Sequence, residues 1–132
     1  MATTPTTPSV ADQQVDLLRG TVVSLVRRDG PDLTARQLAV FLTCYLVEGG
    51  HTVRGLAAEL DVSKPAITRA LDRLGEFDLA RRKTDPADRR SILVQKTPKG
   101  SAFLRDIKTI MTKVAAGEKK PATTTGRRAA AG

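Results

Sequence analysis

Apolar side chains return every three or four residues in five stretches of this chain, a spacing that predicts five helices. Val15, Leu18, Val22 and the Leu25/Val26 pair form the first stripe, on a helix from near Val10 to Arg28 that Asp29-Gly30-Pro31-Asp32 should end. The second opens at Thr34 with Gln37 three residues on, a capping-box spacing. It continues through Leu38, Phe41, Leu42, Tyr45 and Leu46 to Gly49-Gly50. Val53, Leu56, Ala57 and Leu60 make a third, shorter stripe. After the break at Asp61-Val62-Ser63, Ile67, Ala70, Leu71 and Leu74 make a fourth, with Ser63 as N-cap and Pro65 in the first turn, where a missing N–H costs little. Two short strands, about Leu79 to Lys83 and Ser91 to Lys96, then flank the tip Asp85-Pro86-Ala87-Asp88-Arg89-Arg90. A last helix carries Phe103, Leu104, Ile107, Ile110, Met111 and Val114 on one side.

Two short helices meeting at a tight turn and followed by a basic hairpin read as a winged helix-turn-helix, so the expected fold class is mainly α with an α/β wing. Stepping about 100° per residue from Lys64, Ile67, Ala70 and Leu74 cluster on one side of the fourth helix. Pro65, Thr68, Arg69 and Asp72 lie opposite, with Lys64 and Arg73 at the flanks. Taken alone, such a polar side is equally an ordinary solvated face or a surface for a major groove, where Arg and Lys donate to guanine. The hairpin behind it, with Arg81, Arg82, Lys83, Arg89 and Arg90, adds the cations that a phosphate backbone requires and favours nucleic acid.

Composition narrows the picture. The 132 residues carry a formal net charge of +8 and an isoelectric point of about 10.3, which implies a polyanionic partner. No apolar run approaches the roughly 20 residues that span a bilayer, and the start has no basic segment ahead of an apolar core. The expected location is therefore cytoplasmic, on the nucleoid. One cysteine, Cys44, and one histidine, His51, exclude an internal disulfide and a histidine-based metal cluster. Neither a phosphate-cradling loop nor a zinc-protease or nucleophile-elbow motif occurs, so no catalysis, metal or cofactor is expected. The domain expectation is a disordered tail at 1–9, one DNA-binding domain at 10–116, and a flexible basic tail at 117–132, where Ala, Thr, Gly and paired basic residues take over.

From about Leu33 to Leu104 the chain resembles the MarR-type winged-helix regulators of bacteria. The matching residues are Val62-Ser63, Ile67-Thr68-Arg69 and Asp72-Arg73-Leu74 in the helix pair, the whole tip Asp85 to Arg90, and Thr97-Pro98-Lys99-Gly100 after it. The resemblance implies a homodimer on a pseudo-palindromic double-stranded operator, with recognition helices in successive major grooves and wings in flanking minor grooves. By position it places Ser63, Lys64, Thr68 and Arg69 against bases or adjacent phosphates and Arg73 on phosphate; Pro65 on the polar side of the same helix and Arg82 and Lys83 on the wing strand are DNA-binding candidates beside them. Arg90 would be the minor-groove arginine beside Arg89, and Asp88 would set the wing by an ion pair. A narrow A/T-rich groove draws such a guanidinium by its concentrated negative potential.

The chain also departs from that pattern. Asp61 and Asp78 stand where glycine is usual, although Asp tolerates positive φ better than most residues. Lys96 replaces an expected leucine, and no further long helix is expected after about Ala116, so the expected dimer contact is smaller or differently built. The terminal helices would form that contact through Val15, Leu18, Val22 and Leu25 on one and Phe103, Ile107, Ile110 and Val114 on the other.

Candidate sensors are weaker. Cys44, amid Phe41, Leu42, Tyr45 and Leu46, has no basic neighbour in sequence to hold a thiolate, so core packing is expected over redox sensing. Phe41, Tyr45 and Phe103 could line an effector cleft, but aromatics make up only 3% of the chain and the core needs them. A sequence-specific regulator is thus the reading. An architectural protein with little sequence preference and a winged-helix interaction adaptor are the alternatives, since fold alone does not fix function.

Overall fold

The computed structural model describes residues 7–117; residues 1–6 and 118–132, with nearly all of the expected basic tail, lie outside the described residues. Helices α1 (Val10–Arg27), α2 (Ala35–Leu46), α3 (Val53–Leu60), α4 (Lys64–Glu76) and α5 (Pro98–Ala115) accompany strands β1 (Ala80–Thr84) and β2 (Ile92–Lys96). The fold is mainly α. Of the described residues, 7–28 and 108–117 form one compact unit and 29–107 another.

In the first unit, Ser9 is the N-cap of α1 rather than part of a disordered tail. Its hydroxyl accepts from the Asp12 N–H at 3.0 Å, and the Asp12 carboxylate accepts from the Ser9 N–H at 3.2 Å. This is the capping box that the expected tail at 1–9 overlooked. A Cβ on Gly20 would meet Val114, so α1 and the end of α5 touch where glycine allows close approach. Among the described residues nothing covers the outer stripe of α1: Val15, Leu18 and Val26 keep 64%, 61% and 63% of their surface.

The second unit is built around Phe41, which is fully buried and stacks on Tyr45 at 4.4 Å and edge-on to Phe103 at 5.2 Å between ring centroids. Leu56 of α3, Ile67, Leu71 and Leu74 of α4, and Leu79 close the core around it. Thr34 and Gln37 form the expected capping box of α2, but the helix stops at Leu46, three residues short of Gly49. The Val47 carbonyl is taken by the His51 ring at 2.6 Å. The His51 carbonyl in turn accepts from the Val94 N–H, and Thr52 pairs with Leu93 in an isolated bridge. The chain must be extended there to reach the wing.

Asp61 ends α3 at φ 55° and Asp78 follows α4 at φ 57°, so both aspartates occupy the left-handed positions where glycine was the usual residue. The strands pair antiparallel from Ala80 with Lys96 to Thr84 with Ile92. Each begins one residue later than expected. Leu79 is held in the helix exit by its N–H to the Leu74 carbonyl, and Ser91 in the tip turn by its N–H to the Asp88 carbonyl.

One side chain ties the base of the wing together. The Tyr45 hydroxyl donates to the Leu79 carbonyl at 2.7 Å and accepts from the Thr97 N–H at 3.0 Å. The Thr97 hydroxyl donates to the Asp78 carbonyl at 2.6 Å and accepts from the Gly100 N–H at 2.9 Å. Lys96, where leucine was expected, stays exposed with its ammonium 5.6 Å from the Tyr45 ring centroid, so the wing base is locked by hydrogen bonds and a cation over a ring rather than by an added aliphatic.

Candidate nucleic-acid interface

The buried side of α4 is Ala66, Ile67, Ala70, Leu71 and Leu74, which leaves the opposite side to solvent as its periodicity requires. Ser63 caps the helix by accepting from the Ala66 N–H at 3.2 Å. Lys64, Pro65 and Arg69 are exposed and Thr68 is half-buried. The wing tip is held by two consecutive aspartate turns. Asp85 Oδ1 accepts from the Ala87 N–H at 2.9 Å, Asp88 Oδ1 accepts from the Arg90 N–H at 3.1 Å, and the Ser91 hydroxyl donates to Asp88 Oδ2 at 3.2 Å. Asp88 therefore shapes the wing through backbone bonds. Its expected ion pair is loose, with Arg90 Nε 3.8 Å away and the Arg90 side chain 92% exposed.

The basic residues divide into two groups. Toward the end of α4 and the base of the wing they are held by carboxylates of their own chain. Arg73 meets Glu76 at 2.7 Å and lies 4.7 Å over the Phe77 ring, Arg81 meets Asp78 at 3.0 Å, and Arg82 meets Asp72 at 2.6 Å. Arg73 and Arg82, both expected on DNA, are thus engaged within the protein. These exposed pairs contribute little stability, about 0–1 kcal/mol each, but they neutralise that end locally. Toward the start of α4 and the outer wing, Lys64, Arg69, Lys83 and Arg89 are exposed and have no ion pair among the described residues.

A cleft of about 190 Å³ lies at this end, where Lys64 and Thr68 of α4 and Arg90 and Ser91 of the wing line it together with Thr52, Val53 and Arg54. Arg54 escaped the sequence reading. It sits in the first turn of α3, a helix read only for its apolar stripe, and the Thr52–Leu93 bridge that carries this turn to the wing joins residues far apart in sequence.

The expected dimer residues separate as well. Val15, Leu18 and Val22 are exposed, and Leu25, Ile110 and Val114 are half-buried. Phe103 and Ile107 are buried at 5% and 6% exposure, so these two belong to the core of their own chain and not to a contact between copies. Phe103 is held edge-on to Phe41 and Tyr45 stacks on it, so the three aromatics pack on one another. Cys44 is buried beside them; burial pushes its thiol up to about 11, with the nearby Lys96 charge pulling the other way. Among the described residues no cluster of His, Cys, Asp or Glu is placed to hold a metal ion, and no helix is long and apolar enough to cross a membrane.

Comparison with known proteins agrees with this geometry. The model of the MarR family matches residues 31–91. No curated protein sequence gives a significant match. Among solved structures, the transcriptional repressor CouR, determined bound to a 23-mer DNA duplex, is 28% identical with a TM-score of 0.59, over 75% of this chain and 67% of that one. YusO from Bacillus subtilis is 20% identical with a TM-score of 0.61, covering 92% and 83% of the two chains. A mutant of MepR from S. aureus is 18% identical with a TM-score of 0.65, covering 95% and 93%. The last two likenesses establish the fold. The segment that the MarR family model matches, 31–91, runs from the approach to α2 through the helix-turn-helix to the wing tip.

Proposed function

We propose that this protein is a non-enzymatic transcriptional regulator that binds double-stranded DNA with sequence preference. The start of α4 enters the major groove, where Arg69 and Thr68 read base edges, and the wing reaches the flanking minor groove with Arg89 and Arg90. The observation that carries the reading is the shared cleft, which sets Lys64 and Thr68 of α4 beside Arg90 and Ser91 of the wing, at the end of the unit where the loose Arg90–Asp88 contact is the one ion pair among the described residues. The DNA complex of CouR supports it by likeness. Such a protein acts in the cytoplasm, on the nucleoid.

The reading includes a homodimer. The uncovered α1 stripe of Val15, Leu18, Val22 and Val26 suits a self-complementary contact, and a two-fold pair would place two α4 helices about one DNA turn, roughly 34 Å, apart for a pseudo-palindromic site. Binding to fragments selected from genomic DNA and to random DNA, measured from low to physiological salt, tests the function. A regulator loses affinity steeply with salt and keeps a preference of 10³-fold or more for the selected site. Steep loss without preference would indicate an architectural coat instead, and no salt dependence an interaction adaptor. Light scattering at micromolar concentration should report a dimer, and a monomer there would remove the two-fold part of the reading.

A further inference from the structure

A helix in the major groove and a wing in the next minor groove cannot meet without something between them. The boundary between those grooves is a single sugar–phosphate strand, so any such docking requires a place where one strand passes between α4 and the wing. The cleft at this junction is that place by position, and its chemistry matches. Arg54 enters from α3, Lys64 from α4 and Arg90 from the wing, with the hydroxyls of Thr68 and Ser91 between them and no carboxylate in the lining. Arg54 is exposed and has no ion pair among the described residues. The contrast with the other groove beside the wing decides its charge. That groove, about 350 Å³, has Asp72 in its wall, and of its three cations Arg82 is bound to Asp72 and Arg81 to Asp78, which leaves Lys83 as the one without an ion pair among the described residues.

We propose that Arg54 and Lys64 grip one backbone phosphate in this cleft, leaving Arg90 to reach past the strand into the minor groove. Arg54 thereby couples the first helix of the helix-turn-helix to the wing through the DNA itself. The contact is sequence-independent, since phosphate positions the protein and carries no base identity. It rests on the DNA-binding reading above.

The test is Arg54→Ala in the full chain, with Arg54→Lys beside it, titrated over salt on a selected site and on random DNA. Each neutralised phosphate adds about 0.9 to the slope of log affinity against log salt. The alanine variant should therefore lose about 0.9 of slope per bound protomer on both DNAs, about 1.8 for the two-fold dimer, so that its affinity falls about 3- to 4-fold less per protomer, roughly 12-fold for the dimer, than that of the parent between 50 and 200 mM salt. Arg54→Lys should keep the parent slope, and all variants should keep the parent melting temperature, as expected for an exposed residue. Lys64→Ala should repeat the slope loss, and because both side chains act on one phosphate the double variant should lose no more slope than either alone. Replacing phosphates by neutral methylphosphonates should reveal one position in each half-site at which Arg54→Ala has no further effect. An unchanged slope in Arg54→Ala on DNA that the parent binds would overturn the phosphate grip while leaving the DNA-binding reading intact. A loss confined to the selected site would overturn it too, by making Arg54 a base reader. A parent without salt-dependent DNA binding would bring down the DNA-binding reading itself.

Discussion

Replacing Tyr45 by phenylalanine removes one oxygen and leaves the ring that stacks on Phe41. That oxygen donates to the Leu79 carbonyl at 2.7 Å and accepts from the Thr97 N–H at 3.0 Å, and both partners are nearly inaccessible, at 1% and 2% exposure. Without it, water cannot readily replace either bond. A buried donor or acceptor left unpaired costs about 1–3 kcal/mol, so Tyr45→Phe should destabilise the chain by about 2–3 kcal/mol. For a chain of this size that corresponds to a melting temperature lowered by about 8–12 °C. Urea unfolding followed by circular dichroism should show a lower midpoint at unchanged slope, the sign of lost stability without a change in exposed surface. Gly100 provides an internal check, because a Cβ there would run into the Tyr45 hydroxyl and the Leu79 carbonyl. Gly100→Ala should be strongly destabilising, and the double variant should lose less stability than the sum of the two single losses, since removing the hydroxyl relieves part of the collision. A Tyr45→Phe variant within about 0.5 kcal/mol of the parent, the range of ordinary surface changes, would refute the claim that this hydroxyl locks the wing base.

Asp61, at φ 55°, should be improved by Asp61→Gly by about 0.5–1 kcal/mol and harmed by Asp61→Val by more than about 1 kcal/mol, because a β-branched side chain resists the left-handed region; thermal unfolding ranks the three. The Cys44 thiol, raised to about 11 by burial, should resist alkylation at pH 8 in the native chain and react at once in denaturant. The stability associated with keeping it neutral is intact below pH 9, the unfolded value, and is lost as pH rises toward about 11; rapid native alkylation at pH 8 would contradict this. Arg90→Ala should lose most affinity on sites with A/T-rich flanks, whose narrow groove concentrates negative potential, and equal losses on G/C-rich flanks would argue against insertion of this side chain.

Much of the local architecture was legible because it depends on neighbours in sequence. The capping box of Thr34 and Gln37, the break at Asp61-Val62-Ser63 and the buried face of α4 all follow from spacing alone. What escaped depends on contacts between distant segments. Ser9 looked like the end of a low-complexity tail, yet its hydroxyl and Asp12 close a capping box. Phe103 and Ile107 continue the apolar stripe of α5 along with Ile110 and Val114, and periodicity cannot say which part of a stripe meets the chain's own core. Nor does a count of basic residues distinguish Arg82, bound to Asp72, from Lys64, bound to no carboxylate among the described residues. Arg54 joins the candidate interface only through the pairing of Thr52 with Leu93, a long-range bridge that no local pattern announces.

The central claim is that the exposed side of α4 reads DNA sequence, and Arg69 tests it most directly. It stands on that side, exposed and without an ion pair among the described residues. Arg69→Ala should weaken binding to a selected genomic site by about 1–3 kcal/mol while changing random-DNA binding far less, measured by fluorescence anisotropy at physiological salt. Equal losses on both DNAs would reduce Arg69 to a phosphate contact, and unchanged binding to both would contradict the docking of α4 in the major groove.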